Sequence, residues 1–447
     1  MIEINHHKYS FPKVLTFGFI FVILIGTFLL MLPISTNKGL HTSFMTALFT
    51  STSATCVTGI TLVDTATHWS WFGKLVITLL IEIGGLGFMT FTVLMFLLIR
   101  GKMSMSTKLL TSESLNLSTV SQFDIVYLVL KLSVAIQIIG AGLLFVDFYP
   151  RYGFQKGLAF SIFHSISAFC NAGFDLFGNS VQNFANNTYV LGVFAFLILA
   201  GSLGFLVWKD ILTYRQNHRL SLHTTLALRT GFALFTLSFV MYFITENNLS
   251  QLADQLDVKQ RLVNTIFMAI TPRTAGLITF PYNELTASGM AFTIMLMFIG
   301  GTPGSTAGGI KTTTVGLLVI QSISTLKGQQ EPTFAHRRFS QENIFRAIAL
   351  IWVALVLVIA AIVVLTKTQA LPKHDTLEYV TFEVVAAFGT TGISLGVTHY
   401  FNYFGQAIIM ILMFIGRVGI YTVMYSILNA KPKQKSYHYP KEDILIG

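Results

Sequence analysis

The sequence predicts an all-α integral membrane protein. It is built from four M1–pore loop–M2 repeats with pseudo-fourfold symmetry around one pore, M1 and M2 being the two crossings of a repeat. Three observations predict this. The 447 residues have a mean hydropathy of +0.67 and only 11% charged residues, too little polar surface for a soluble chain of this length. Membrane-length apolar runs alternate with runs too short to cross. A glycine closes each short run, in Thr55-Cys56-Val57-Thr58-Gly59-Ile60, Cys170-Asn171-Ala172-Gly173-Phe174, Arg273-Thr274-Ala275-Gly276-Leu277 and Gly389-Thr390-Thr391-Gly392-Ile393.

Residues 1–13 are polar and basic and read as a cytoplasmic lead-in. The first apolar run lacks a small-residue cleavage pattern, so it is a span rather than a signal peptide. Repeat 1 (14–122) crosses at 14–33, re-enters at 43–54 and returns at 73–99, with Trp69 and Trp71 suited to the outer interface. Repeat 2 (123–221) uses 125–148, 157–169 and 189–208. Repeat 3 (222–342) uses 222–244, 261–270 and 290–324, and repeat 4 (343–430) uses 344–365, 377–388 and 404–428. A cytoplasmic tail, 431–447, follows. The glycines closing the short runs are 114, 103 and 116 residues apart. A second glycine follows at 25, 28, 24 and 24 residues: Gly84, Gly201, Gly300 and Gly416. Twin landmarks at matched spacing mark one unit repeated four times, all in the same orientation.

The net charge of +10 is carried by five segments, 1–13, 100–122, 209–229, 326–346 and 428–447. All lie on one side if the chain crosses an even number of times between them. That is the positive-inside pattern; it places both termini in the cytoplasm and calls for no nucleic acid. The same loops are candidate docking surfaces for a regulatory partner, although attraction to anionic membrane lipids accounts for their charge equally well. Cys56 and Cys170 form no disulfide framework and read as small residues packed behind the glycines.

A monovalent cation crossing hydrocarbon needs fixed oxygens in place of its water. Rings of backbone carbonyls supply them, on residues with unusual backbone angles that glycine adopts freely. The candidate filter is Val57, Thr58, Gly59, Asn171, Ala172, Gly173, Thr274, Ala275, Gly276, Thr390, Thr391 and Gly392. The C-terminal ends of four short helices would add partial negative charge. Asp64 and Asp175 lie just beyond and either concentrate cations at the mouth or are ordinary solvated carboxylates. Gly300, Gly301, Thr302, Pro303, Gly304, Ser305, Thr306, Ala307, Gly308 and Gly309 cannot sustain a helix. They predict an intramembrane loop below the filter that lines the cavity. A phosphate-binding loop fails there, because Lys311 falls one residue late and no strand precedes it.

The strings MLPIST (31–36), VTGI (57–60), GGLGFMTF (84–91), FHSISAFCNAGF (163–174), TPRTAG (271–276), STAGGIKTTT (305–314) and MFIGRVG (413–419) resemble the superfamily of potassium transporters that includes bacterial Trk and Ktr, fungal Trk and plant HKT. The Ktr membrane subunit is most similar, since no extra helices precede the first repeat. The resemblance implies potassium as the transported ion, with possible sodium dependence and no cofactor in this chain. It also implies a homodimer in a bacterial plasma membrane and a cytosolic nucleotide-binding ring of the RCK type, KtrA- or KtrC-like. The superfamily's filter glycines map onto Gly59, Gly173, Gly276 and Gly392; sodium-passing relatives tend to carry serine at the first. The loop at 300–309 corresponds to a movable barrier, and Arg417 to a pore-facing arginine that repels cations or holds that loop.

A charge inside M2 is a functional candidate in its own right. Lys311 closes the loop and either anchors a helix end or reaches toward the cytoplasm. Glu82 either pairs with Arg417 or Lys311 or stays protonated. His164 and Glu383, each nine residues before a filter glycine, read as ties on the short helices. Carriers of organic solutes usually show inverted repeats, which parallel pore-loop repeats oppose. Nothing in the sequence assembles a catalytic constellation, so an enzyme is disfavoured.

Overall fold

The computed structural model describes residues 2–4, 7–9, 11–37, 42–98, 122–246, 257–329, 331–369 and 376–428. The tail at 431–447 and nearly all of the 100–122 connection lie outside these. The lead-in forms a short hairpin, with Ile2–Ile4 (β1) antiparallel to His7–Tyr9 (β2). Helices make up most of the rest, joined by short non-helical segments. Repeat 1 comprises α1 (Phe11–Met31), α2 (Phe44–Thr55), a single turn α3 (Thr65–His68) and α4 (Trp71–Leu98). Ser43 starts α2, its hydroxyl accepting from Thr46 N, the usual N-cap arrangement.

In repeat 2 the expected span at 125–148 and short helix at 157–169 are two helices joined at a kink without a loop, together labelled α5 (Gln122–Cys170). It carries Pro150 and turns at Gly153, whose φ of 74° is non-helical. Then come α6 (Thr188–Ser202) and α7 (Phe205–Asn217). Repeat 3 has α8 (Leu222–Thr245), α9 (Val258–Ile270), α10 (Ala287–Phe298) and α11 (Thr312–Leu326). A short hairpin, Thr333–Phe334 (β3) with Arg337–Arg338 (β4), leads to repeat 4: α12 (Gln341–Thr368), α13 (Thr376–Gly389), α14 (Tyr403–Val418) and α15 (Ile420–Leu428).

Each M1 is continuous through the apolar layer, as in Pro12–Met31, Leu222–Thr245 and Gln341–Thr368. No M2 is. The sequence predicts a break only in repeat 3, and this is corrected: all four break near the second glycine, three just after it and α10 at Phe298, two residues before Gly300. The chain turns at Gly87 (φ 46°), Gly204 (φ 73°), Gly304 (φ 71°) and Gly419 (φ 93°). The bends are 95° between α6 and α7 and 103° between α14 and α15.

The cause lies one turn earlier. A Cβ on Gly84 would sit 1.9 Å from Thr55 O, on Gly201 1.8 Å from Phe169 O and on Gly416 1.9 Å from Phe388 O. Each M2 backbone thus presses against the end of its own pore helix, which only a residue without a Cβ allows. In repeat 3 Gly300 meets Gly308 O of the loop instead, at 2.0 Å. The outward faces carry exposed Phe17, Phe21, Phe28, Phe232, Trp352 and Ile359, as lipid-facing helices do.

Candidate functional site

The four pore helices converge on four short segments with a shared backbone. Val57, Asn171, Thr274 and Thr390 have φ of 56°, 58°, 79° and 50°, and the glycines two residues later have 91°, 69°, 74° and 81°. Left-handed backbone at a β-branched residue is an outlier; here three of the four leading residues are Val or Thr. Bonds back to the pore helices hold the shape. Thr58 N donates to Ser53 O, Ala172 N to Ser167 O, Ala275 N to Thr271 O and Thr391 N to Ala386 O, at 2.8, 2.8, 3.0 and 2.9 Å. Side chains add Gly59 N to Ser53 Oγ at 3.0 Å, Ser167 Oγ to Phe174 O at 2.6 Å and Thr271 Oγ1 to Leu277 O at 2.5 Å.

The segments close on one another. A Cβ on Gly59 would lie 2.5 Å from Ala172 O, on Gly173 3.3 Å from Ala275 O, on Gly276 2.5 Å from Thr391 O and on Gly392 2.1 Å from Thr58 O. Each glycine abuts the carbonyl of the next repeat, and the fourth returns to the first. That is a closed ring of four segments with a peptide oxygen at each junction. The hydroxyls of Thr58, Thr274, Thr390 and Thr391 and Oδ1 of Asn171 are buried in it without a partner. Among the described residues no cluster of His, Cys, Asp or Glu is placed to hold a metal.

Outside the ring, a cavity of about 350 Å³ is lined by Gly59, Asp64, Gly173, Asp175, Gly178 and His399, among others. Asp64 caps α3, accepting from Ala66 N and Thr67 Oγ1, and Asp175 accepts from Phe177 N and Gly178 N. Burial, with Asp64 nearby, pushes the Asp175 carboxyl above the usual range, against the pull of those N–H groups. The two carboxylates are therefore held in place at the mouth.

Beneath the ring, residues 299–311 leave the helical path. Ile299 and Ile310 pair as a bridge, and Gly300 N donates to Ile310 O at 2.8 Å. The loop touches the underside of the ring, since a Cβ on Gly308 would lie 2.1 Å from Thr390 Oγ1. Arg417 reaches across from repeat 4. Its Nη1 donates to Thr306 O, its Nε to Gly84 O at 3.1 Å and its Nη2 to Gly84 O and Gly85 O, both at 2.6 Å. It therefore ties the loop to the first M2 break.

Of the two alternatives for Lys311, the structure has it at a helix end: it is the N-cap of α11, and Nζ folds back onto Ala307 O at 2.6 Å and Gly308 O at 3.4 Å, because freed loop carbonyls are the nearest acceptors. One pairing is corrected. Glu82 meets neither Arg417 nor Lys311. Its Oε2 accepts from Gln137 Nε2 at 2.9 Å and from the Cys170 thiol at 3.4 Å, because α4 turns it toward α5 rather than toward the axis. Both cysteines are buried and free.

His164 and Glu383 are ties. Leu176 N donates to His164 Nε2 at 3.1 Å, which leaves Nδ1 to donate to Phe160 O at 2.7 Å; Ser394 Oγ donates to Glu383 Oε1 at 2.5 Å. Each fastens the outgoing strand to its pore helix. Ser202, Thr306 and the amide of Asn171 escape sequence reasoning as side-chain contacts; the one signal was Ser202 lying between Gly201 and Gly204.

The TrkH family model, described as "Cation transport protein", matches residues 11–439. The chain belongs to this family. It is 45% identical over 432 residues to the potassium/sodium uptake protein NtpJ of Enterococcus hirae, covering 96% of each chain. It is 37% identical over 441 residues to the Ktr system potassium uptake protein B of Bacillus subtilis, covering 98% of this chain and 97% of that one. The potassium transporter TrkH from Vibrio parahaemolyticus shares the fold, with a TM-score of 0.69 over 96% of this chain and 87% of that chain at 18% identity. This TrkH-family chain is thus a multi-pass membrane protein of a transporter family, and transport rather than catalysis is its work.

Proposed function

We propose that the chain is a potassium uptake pore. Potassium passes the ring formed by Val57–Gly59, Asn171–Gly173, Thr274–Gly276 and Thr390–Gly392, and loop 300–309, with Lys311 and Arg417, gates it from below. The observation that carries this reading is the ring of left-handed backbone, each glycine against the next repeat's carbonyl. Such a ring offers oxygens in place of a hydration shell. Both uptake relatives named above carry potassium in their names, and glycine rather than serine at 59 favours it. The positive-inside charge supports cytoplasmic termini, with the plasma membrane as location. By analogy with the Ktr system, a homodimer bound to a cytosolic nucleotide-binding ring would regulate the gate.

Sodium passage or sodium coupling is the second reading, favoured by the name of the Enterococcus hirae relative. Flux in proteoliposomes holding this chain alone, under potassium and then sodium gradients, separates the two. Selective passive potassium flux is the expected result. Equal sodium flux would remove the claim that four glycines select potassium.

A further inference from the structure

Arg417 gives the loop a single bond, to Thr306 O. Repeat 2 gives it far more. Thr302 N and Oγ1 both donate to Ser202 O, at 3.1 and 3.0 Å, and Thr306 N donates to Gly201 O at 3.2 Å. Phe205 N donates to Gly304 O at 3.0 Å. Thr306 Oγ1 donates to Phe169 O at 3.0 Å, while Asn171 Nδ2 donates to Ser202 Oγ at 3.0 Å and Thr306 Oγ1 at 2.9 Å. Two left-handed turns meet face to face there. A Cβ on Gly204 would lie 2.5 Å from Thr302 Oγ1 and 2.7 Å from Pro303 O.

We propose that this elbow, residues 201–205, is the latch that keeps the loop beneath the ring, and that α7, which starts at Phe205, is the arm that releases it. The inference rests on reading the loop as a gate. Phe205 N, one of the first donors of α7 with no partner inside the helix, is satisfied by the loop's Gly304 O. α7 leaves α6 at 95°. Farther along it, Asp210 accepts from Ser221 Oγ, from Ser221 N at 3.3 Å and from Thr224 Oγ1 at 2.5 Å, tying the arm to the start of α8.

Tilting α7 withdraws the Phe205 donor and moves Gly204 away from Thr302. Without that tilt, the loop can leave only by stranding several buried polar groups, each at its full desolvation cost. Asn171 belongs to both the ring and the latch, so release also frees the amide that braces the second ring segment.

The test is passive potassium flux of the full-length chain alone in proteoliposomes. Thr302→Val removes one latch donor. Phe205→Pro removes another without disturbing α7, since proline is well tolerated at a first helical residue. Each should raise flux about fivefold, the shift one buried hydrogen bond produces. Thr302→Ser, which restores the hydroxyl, and Phe205→Ala, which keeps the N–H and loses only packing, should match the parent.

A second measurement survives poor folding of either variant. In Gly204→Cys with Thr302→Cys the Cβ atoms would be 3.5 Å apart, within disulfide range. Oxidation should stop flux and a reductant restore it. Parent-like flux in both Thr302→Val and Phe205→Pro, or undiminished flux in the oxidised pair, overturns the latch. Absence of potassium flux from the parent and every variant would instead overturn the potassium pathway itself.

Discussion

Replacing Gly59 with serine puts a Cβ where the ring has no space. It would lie 2.5 Å from Ala172 O and 3.0 Å from the Gly173 Cα. Ordinary contact begins near 3.4 Å, so the Ala172 carbonyl must retreat by about 0.9 Å or the first segment must rotate. The backbone adds its own cost, because a φ of 91° in an L-residue costs about 1–2 kcal/mol. Both act on the ring oxygens that the proposed function makes the ion filter. A differential loss of about 1.4 kcal/mol is tenfold in selectivity, and a tenfold fall in potassium over sodium permeability is the expected result.

The assay is flux or reversal potential in proteoliposomes under opposed potassium and sodium gradients. Gly178→Ala is the control. Its φ of 87° imposes similar strain, but its Cβ would meet nothing nearer than Asp64 at 3.6 Å, so selectivity should hold. If Gly59→Ser retains the parent's ion ratio, or if Gly178→Ala loses it equally, the ring contact does not set selectivity.

Further expectations concern other parts of the molecule. Arg417→Gln removes the charge below the ring and most of the clasp on Thr306, Gly84 and Gly85, and should raise passive potassium flux severalfold; a fall in flux with unchanged folding would argue against a restraining role. Gly201→Ala forces a Cβ to 1.8 Å from Phe169 O and should destabilise by about 1–3 kcal/mol. Gly192→Ala on the same helix, with nothing within 4 Å, should be neutral or mildly stabilising, and thermal unfolding in detergent compares the two.

Glu82→Gln keeps an acceptor for Gln137 and should change flux less than about twofold, as befits the modest net value of one hydrogen bond; a large pH-dependent change would restore an ionic role. Because the Asp175 carboxyl is held above its usual range, it takes up a proton at higher pH than an ordinary carboxylate. Uptake from dilute potassium should therefore weaken as external pH falls toward the acid range, and added salt should mute the effect. Uptake by Asp175→Asn, measured over the same pH series, should lack that limb.

By itself the sequence determined the class, the fourfold repeat and the positions of the ring glycines. Those features are written locally, as apolar run length, charge bias between runs and glycine at fixed spacing. It also marked Gly84, Gly201, Gly300 and Gly416 as landmarks without a reason. For Gly84, Gly201 and Gly416 the reason is a contact between segments tens of residues apart, such as Gly201 against Phe169, while Gly300 meets Gly308 of its own loop; a local pattern cannot hold the long-range information. The same limit applies to M2. Apolar length at 73–99, 189–208 and 404–428 predicts straight spans, since hydropathy does not register that a backbone pressed onto a pore helix must turn away.

Side-chain partners were the least legible. Glu82, Arg417 and Lys311 were drawn together because opposite charges attract. The tertiary structure instead gives Glu82 to Gln137, and gives Arg417 and Lys311 to backbone carbonyls. Broken helices free carbonyls at membrane depth, and the buried cations go where those oxygens are.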